Sequence, residues 1–223
     1  ESIDKIGTLK RKNMIRLTVG KKEDLTLKNV HQFYYDVLAN EDKLDQQAKM
    51  LKKNQTIGMI FREVVKNQSI IFVNSKKYAE TLMYYLRDVE KHSVEIIMGS
   101  PMTKDDREFV FKKFSNKEFE ILITTKLLRG IYMGAVNLII NADLPEVFET
   151  KMPDYEAYLH RVGKTSRFGD IGIALNLVDG PKAKNLVEGL KWFYSCEMPQ
   201  LKDLKQLPTY IENIRKENEK KRN

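Results

Sequence analysis

The chain alternates between short apolar runs and amphipathic segments from about residue 69 to residue 195. The apolar runs are SIIFVN (69–74), VEIIM (94–98), EILITT (120–125), VNLIINAD (136–143) and IGIALNLV (171–178). Runs of this length without polar alternation are typical of parallel strands that are covered on both faces. The pattern therefore predicts five strands.

The segments between these runs have the helical period. Residues 79–86 place Ala79 and Leu82 on one stripe, and residues 103–114 begin with Thr103, an N-cap residue followed by acidic side chains. Residues 155–162 and 182–194 also predict helices. Strands that alternate with helical crossovers predict one α/β domain with a doubly wound, mostly parallel sheet flanked by helices.

The regions on either side of this rhythm are more polar. Residues 1–27 predict an N-terminal extension whose only strand is MIRLTV, and residues 28–53 predict two short helices broken near Asn40. Residues 55–66 predict a further helix. We expect the domain to cover residues 28–207, followed by a helical tail over 208–223.

Composition excludes several classes of protein. Hydrophobic residues make up 42% of the chain, and the longest apolar runs are far shorter than the roughly 18 residues of a membrane span. The start, ESIDK, lacks the pattern of a secretory signal. The single cysteine, Cys196, cannot form an internal disulfide, and His31, His92 and His160 are too scattered to predict a metal site.

The net charge of +8 and the pI near 9.3 favour a polyanionic partner such as RNA, DNA or an acidic protein surface. Solvated surface lysines and the basic tail RKENEKKRN explain the same charge equally well.

Polar residues follow the predicted strands at their carboxyl ends, where parallel sheets bind ligands. These residues are Asn74, Ser75, Gly99, Ser100, Thr124, Thr125 and Asp143. They predict a surface that contacts a phosphate backbone, and each of them is also a common helix N-cap residue or turn residue.

The stretch HRVGKTSRFG (160–169) contains the end of a phosphate-binding P-loop. A P-loop needs glycine at position 158, which is Tyr158, and it must follow a strand and precede a helix. In this chain the predicted helix 155–162 precedes the motif and the predicted strand 171–178 follows it, which is the reverse order. The four cations His160, Arg161, Lys164 and Arg167 remain, and they indicate an anion such as a γ-phosphate held by another domain, or solvated charges at a helix end.

Five stretches in a fixed order carry a family resemblance: SIIFVNSKK, MTKDDR, ILITTKLLRGI, VNLIINADLP and YLHRVGKTSRFGDIGIAL. They resemble motifs IV, Q-x-x-R, V and VI of the second RecA-like domain of DEAD-box ATP-dependent RNA helicases. The resemblance covers about residues 25–215. The stretches EVFETKMPDYEA, LTLKNVHQFYY and EDKLDQQAKML are similar to the subfamily that remodels messenger RNA–protein particles at the nuclear pore.

The resemblance implies roles for residues that match the motifs. It implies contacts to RNA for Asn74, Ser75, Gly99, Lys104, Arg107, Thr124 and Thr125. It implies an interdomain interface at His160, Arg161 and Gly163. It implies nucleotide contacts for Arg129, Gly130, Tyr132, Lys164 and Arg167, of which Lys164 and Arg167 are the implied catalytic pair.

The sequence also departs from the family pattern. Lys164 replaces a finger arginine, and a point charge does not reproduce the bidentate fork of a guanidinium on phosphate oxygens. Motif V is one residue shorter than in the family, and Tyr132 stands where an aspartate binds the ribose. Lys104 stands at the glutamine of Q-x-x-R, and Met98 replaces a polar residue.

The function implied by the resemblance is the C-terminal half of an ATP-dependent RNA helicase of the mRNA-export and particle-remodelling type. ATP and Mg²⁺ are expected to be held mainly by an N-terminal RecA-like domain, so this half alone should be inactive. Expected partners are RNA, that domain, and a nuclear-pore activator with inositol hexakisphosphate. We expect a monomer in the cytoplasm, at the nuclear pore or in the nucleus.

Two alternatives belong to other classes. Lys164 and Tyr132 motivate a degenerate, non-catalytic helicase half that acts as an RNA- or protein-binding module. A small-molecule Rossmann enzyme requires a glycine-rich turn after the first strand, which VNSKK lacks.

Overall fold

The computed structural model describes residues 30–39, 41, 43–64, 68–125, 136, 138–165 and 172–222, without the side chains of 215 and 217–222. The predicted MIRLTV strand and N-terminal extension lie outside these residues.

Seven parallel strands form one sheet in the described part of the chain, in the order β3-β4-β2-β5-β6-β1-β7. The strands are β1 (Val30–Asp36), β2 (Ser69–Phe72), β3 (Val94–Ile97), β4 (Ile121–Thr124), β5 (Leu138–Asn141), β6 (Gly172–Val178) and β7 (Gln200–Leu201). Strands β2 to β6 confirm the five predicted strands.

Helices connect these strands and cover both faces of the sheet. They are α1 (Gln46–Glu63), α2 (Lys76–Tyr84, followed by a π-helical turn Tyr85–Val89), α3 (Lys104–Ser115), α4 (Tyr155–Val162), α5 (Pro181–Tyr194) and α6 (Leu207–Arg222). The predicted cap of α3 is confirmed: the Thr103 hydroxyl accepts a hydrogen bond from the Asp106 amide at 3.1 Å, and the Asp106 carboxylate accepts one from the Thr103 amide at 2.9 Å.

The prediction of two short helices over residues 28–53 is wrong. Residues 30–36 form β1, which pairs with all seven residues of β6. The apolar spacing of Val30, Phe33 and Val37 fits a helix, but the β-branched and aromatic composition of this segment suits a pleated surface. The second predicted helix and the helix predicted over 55–66 are one continuous helix, α1, capped by Asp45.

The core lies on both sides of the central strands. Ile70, Ile71, Ile139, Ile140 and Leu175 are fully buried, as expected for strands sandwiched between helices. Burial of each such side chain contributes about 1.5–3 kcal/mol. The apolar runs of the sequence therefore form the buried central strands, and the loops at the ends of these strands carry the candidate functional residues.

Helix α6 packs against the core beside β1. Ile211 and Ile214 contact the core cluster that contains Phe33, and the rings of Phe33 and Tyr210 lie 5.5 Å apart. The helix predicted after Pro208 is confirmed, and its first residue is Leu207.

Candidate functional site

The carboxyl ends of five strands lie side by side along one edge of the sheet. Ile97 pairs with Thr124, Thr124 with Phe72, Phe72 with Asn141, and Asn141 with Asn176. Neighbouring strands lie about 4.8 Å apart. The described residues that follow β2, β3, β5 and β6 therefore lie along one edge of the sheet, as the sequence predicts.

The turn after β2 presents two exposed polar residues, Asn74 and Ser75. The Ser75 hydroxyl accepts a hydrogen bond from the Tyr78 amide at 3.0 Å and so caps α2. The Asn74 amide group donates to the Leu144 carbonyl at 2.8 Å. The residues that cap and brace this turn are also exposed to solvent, and their contact with RNA phosphates stays a prediction.

Three other residues predicted to contact RNA are less accessible. Gly99 and Thr124 are buried, and Thr125 is half-buried with its amide bonded to the Ile97 carbonyl at 3.3 Å. In this structure these three residues shape the turns and expose little polar surface.

Helix α3 contributes two cations, Lys104 and Arg107, to this edge. Lys104 is exposed, with Nζ 3.5 Å from the Glu108 carboxylate, a loose pair of little energetic weight. Arg107 donates from Nη1 to the Met102 carbonyl at 2.5 Å and is half-buried. Both side chains lie next to the turn that follows β3.

Arg161 is buried at the centre of the edge, with 6% of its surface exposed. Nη1 donates to the Asp143 carbonyl at 2.7 Å and to the Asn141 side chain at 3.3 Å, and Nη2 donates to Asn74 Oδ1 at 3.0 Å. The guanidinium also lies 5.0 Å from the Phe72 ring centre. The structure thus uses this predicted interdomain residue to join the turns after β2 and β5.

Burial lowers the pKa of Arg161 to about 10, although the carboxylates of Asp143 and Asp154 act in the opposite direction. The side chain therefore remains charged at neutral pH, and its hydrogen bonds are charge-assisted.

Lys53 of α1 is a second buried cation, 5% exposed. Nζ lies 2.9 Å from Asp143 Oδ1 and 2.5 Å from Asp179 Oδ2. Burial disfavours its charge, but the two carboxylates outweigh that effect and raise the pKa of Lys53. The second oxygen of Asp143 accepts the Asn74 amide at 2.9 Å.

A chain of buried amides continues across the sheet. Asn141 donates to Asn176 Oδ1 at 2.8 Å, and Asn176 donates to the Phe33 carbonyl at 3.0 Å and to the Tyr158 hydroxyl at 3.1 Å. The Tyr158 hydroxyl donates to Gln32 at 2.8 Å. These bonds tie β1, β5, β6 and α4 into one rigid support.

The motif after α4 lies at the same edge. His160 is exposed and 3.5 Å from Glu156, and Gly163 is half-buried at the end of α4. Lys164 is only 7% exposed, so its side chain is enclosed by the domain. The predicted residues Arg129, Gly130, Tyr132 and Arg167 lie outside the described residues.

The local fold excludes a P-loop at residues 160–169. Helix α4 ends at Val162, and the next described element is the strand β6, which begins at Gly172. The segment therefore leaves a helix and precedes a strand, the reverse of the order that cradles a phosphate. In the described ranges, no three His, Cys, Asp or Glu side chains are grouped to hold a metal ion.

A crevice of about 460 Å³ lies beside this support, between the turns after β5 and β6 and the start of α5. Its wall includes Lys49, Asp143, Asp179 and Lys182. Across the residues that the structure covers, no helix has the length and apolar character to cross a membrane.

Residues 42–169 match the family of the helicase conserved C-terminal domain. The chain belongs to this family. The match covers motifs IV to VI and begins shortly before α1.

The chain is also similar to individual DEAD-box helicases in sequence and in structure. The bovine ATP-dependent RNA helicase DDX25 is 34% identical over 177 residues, which cover 79% of this chain and 33% of that protein. The C-terminal domain of the DEAD-box protein Dbp5 has a TM-score of 0.70 and 27% identity, covering 84% of this chain and 99% of the other. The S. cerevisiae Dbp5 C-terminal domain bound to Gle1 and IP6 has a TM-score of 0.70 and 25% identity over the same shares.

These findings confirm the RecA-like α/β fold and the resemblance to the C-terminal domain of DEAD-box helicases of the mRNA-export type. The chain spans about a third of the length of curated relatives such as DDX25.

Sequence reasoning missed the internal supports of the site. Lys53 and Asn176 lie outside the motif stretches, and Asn141 lies within VNLIINADLP but is not among the predicted site residues; all three are buried. The only signal for Lys53 is its helical register, four residues before the fully buried Ile57. A charge in that register requires a buried counter-ion, which sequence spacing does not identify.

Proposed function

We propose that this chain is the C-terminal half of a DEAD-box ATP-dependent RNA helicase that remodels messenger RNA–protein particles. The observation that carries the proposal is the row of turns along the carboxyl edge of the sheet, where Asn74, Ser75, Lys104 and Arg107 offer polar and cationic groups within one family-matched domain. The relative DDX25 is described as an ATP-dependent RNA helicase.

The exposed groups suit the phosphates of RNA. Hydroxyl and amide side chains and guanidinium groups bind phosphate oxygens, and such contacts carry no base sequence. The net charge of +8 adds a long-range attraction that salt screens. We therefore infer RNA binding that does not depend on base sequence.

Nucleotide chemistry requires a second domain. The segment 160–169 is not a P-loop, and the carboxylates Asp143 and Asp179 are already paired with Lys53, so they do not fit a Mg²⁺ site. An N-terminal RecA-like domain would hold ATP and Mg²⁺. Lys164 and Arg167 would then act on the γ-phosphate, with Arg129, Gly130 and Tyr132 beside the nucleotide.

Partners follow from the Dbp5 likeness. The solved C-terminal domain of S. cerevisiae Dbp5 binds Gle1 and IP6, and we propose an activator of that kind, with inositol hexakisphosphate, for this chain. Such a partner would place the protein at the nuclear pore, between nucleus and cytoplasm.

RNA-stimulated ATPase activity of the full-length gene product tests the proposal. We expect hydrolysis that requires RNA and Mg²⁺, whereas the 223-residue chain alone should release no phosphate. Magnesium-dependent ATP hydrolysis by the 223-residue chain alone would overturn the division of labour between the domains.

A degenerate, RNA-binding half without turnover is the second candidate. It is favoured by the enclosed side chain of Lys164, which stands where the family has an arginine. RNA binding without RNA-stimulated hydrolysis in the same assay would select this candidate, and normal turnover would remove it.

A further inference from the structure

Lys53 lies on α1, outside the motif stretches, and it links the turns that follow β2, β5 and β6. Its ammonium lies between Asp143, which follows β5, and Asp179, which follows β6, at 2.9 and 2.5 Å. Only 6% of its side chain is exposed. Such placement is costly for a flexible, strongly hydrated side chain, so a surface role does not account for it.

The contact of Lys53 extends to the turn after β2 through one carboxylate. Asp143 uses Oδ1 for the Lys53 ammonium and Oδ2 for the Asn74 amide at 2.9 Å. The Asp143 amide in turn donates to the Phe72 carbonyl at 3.2 Å. The Asp143 carboxylate therefore anchors the backbone amide of Asn74, while Arg161 and the Leu144 carbonyl hold the Asn74 side chain.

We propose that Lys53 is a positioning residue for RNA binding: by fixing the Asp143 carboxylate it holds the Asn74–Ser75 turn in the geometry that meets RNA phosphates. The inference rests on the proposed function. Lys53 itself does not touch RNA, because only 6% of its side chain is exposed and its ammonium is paired with Asp143 and Asp179. Its effect is to lower the ordering cost that the turn would otherwise meet on binding.

The test compares variants of the 223-residue chain by amide hydrogen exchange and by anisotropy of a fluorescein-labelled polyuridine RNA. Lys53→Met should speed exchange of the Asn74 amide about tenfold, because the carboxylate that accepts it loses its anchor, while the Ile71 amide in β2 keeps its protection. RNA affinity should fall about fivefold to tenfold.

Matched variants separate positioning from general stability. Lys52→Met, on the same helix but paired with the exposed Glu41, should leave both readouts unchanged. Asp179→Asn keeps the contact between Lys53 and Asp143 and should also leave them unchanged. Lys53→Arg, which retains the cation, should restore most of the protection.

Lys53→Met leaves two carboxylates without their shared cation, so that variant can fail to fold. The double variant with Asp179→Asn removes one of these charges and should fold, with the same fast exchange at Asn74. Unchanged Asn74 exchange and RNA affinity in either folded variant would overturn the inference. If the unmodified chain binds no RNA, the proposed function fails, and the exchange data still decide whether Lys53 positions the turn.

Discussion

Arg161 donates a hydrogen bond to the side chain of Asn74 at 3.0 Å, so a buried cation of α4 holds the turn after β2. The same guanidinium bonds the Asp143 carbonyl. Two turns of the candidate RNA edge therefore depend on one side chain.

Replacing Arg161 with methionine should lower the free energy of unfolding by about 2–4 kcal/mol, because the acceptors on Asn74, Asn141 and Asp143 lose their donor in a buried setting. Urea denaturation followed by circular dichroism measures the change. His160→Gln, at the exposed neighbouring position, should cost less than about 0.5 kcal/mol. Equal losses in both variants would contradict the central role of Arg161.

Lys164→Arg should raise RNA-stimulated ATP turnover of the full-length protein by at least about tenfold, since a guanidinium contacts two phosphate oxygens at once. The readout is kcat at saturating RNA. Lys191→Arg, a control on α5 that keeps its pair with Glu188, should change nothing. A turnover that stays at background in Lys164→Arg would count against a catalytic role for position 164.

Asn176→Leu should destabilise the chain by about 3 kcal/mol, since it leaves the Asn141 amide group buried without a partner and removes the side-chain hydrogen bonds to the Phe33 carbonyl and the Tyr158 hydroxyl. Chemical denaturation provides the value. Asn185→Leu, on the exposed face of α5, serves as the control and should stay within about 0.5 kcal/mol of the parent chain.

Gly189 lies where α5 meets the loop before α4. A Cβ atom there would come 2.8 Å from Pro153 Cγ, and the buried proline ring has little room to move. Gly189→Ala gains about 1 kcal/mol in helix propensity but meets an overpacking cost of about 1–3 kcal/mol, so we expect a net loss near 1 kcal/mol. The control is Glu188→Ala on the same helix. A higher melting temperature for Gly189→Ala than for this control would contradict the prediction and would show that the loop containing Pro153 moves to accommodate the Cβ atom.

Glu90 makes the free energy of unfolding depend on pH in the acidic range. The hydrogen bond from Arg62, aided by one from Tyr85 at 2.9 Å, lowers the pKa of Glu90 below its usual 4.5. A depressed carboxylate pKa means that the stabilisation is fully present above pH 4.5 and is lost as pH falls through the folded value. At pH 7 the free energy of unfolding of the unmodified chain should exceed that of Glu90→Gln by about 1 kcal/mol or less. The two free energies of unfolding, measured by denaturant titration, should converge near pH 3.

The sequence predicts the central layer of this fold well. Strands such as Ser69–Phe72 are short, apolar and bounded by polar turns, and these features suffice because the strands are buried on both faces. Strand β1 escapes prediction because the spacing of Val30, Phe33 and Val37 matches a helix, and its strand conformation depends on pairing with β6, about 140 residues later.

The candidate site is only partly predictable. Motif residues such as Asn74 and Arg107 can be found because their positions follow strand ends or match the family. Their supports cannot, since the pairing of Lys53 with Asp143 and Asp179 joins α1 to two distant turns through tertiary structure alone. Burial of Arg161 and Lys164 likewise follows from how α4 packs, which charge counting along the sequence does not reveal.

The place of β1 between β6 and β7 has a consequence for synthesis on the ribosome. The strand that emerges early finds its neighbours only after residues 172–201 have left the exit tunnel. Until then its backbone amides and carbonyls are open to water, to chaperones or to other nascent chains. Closure of the sheet at this side is thus a late event in the synthesis of this domain, and the edge stays open to aggregation until β6 and β7 are available.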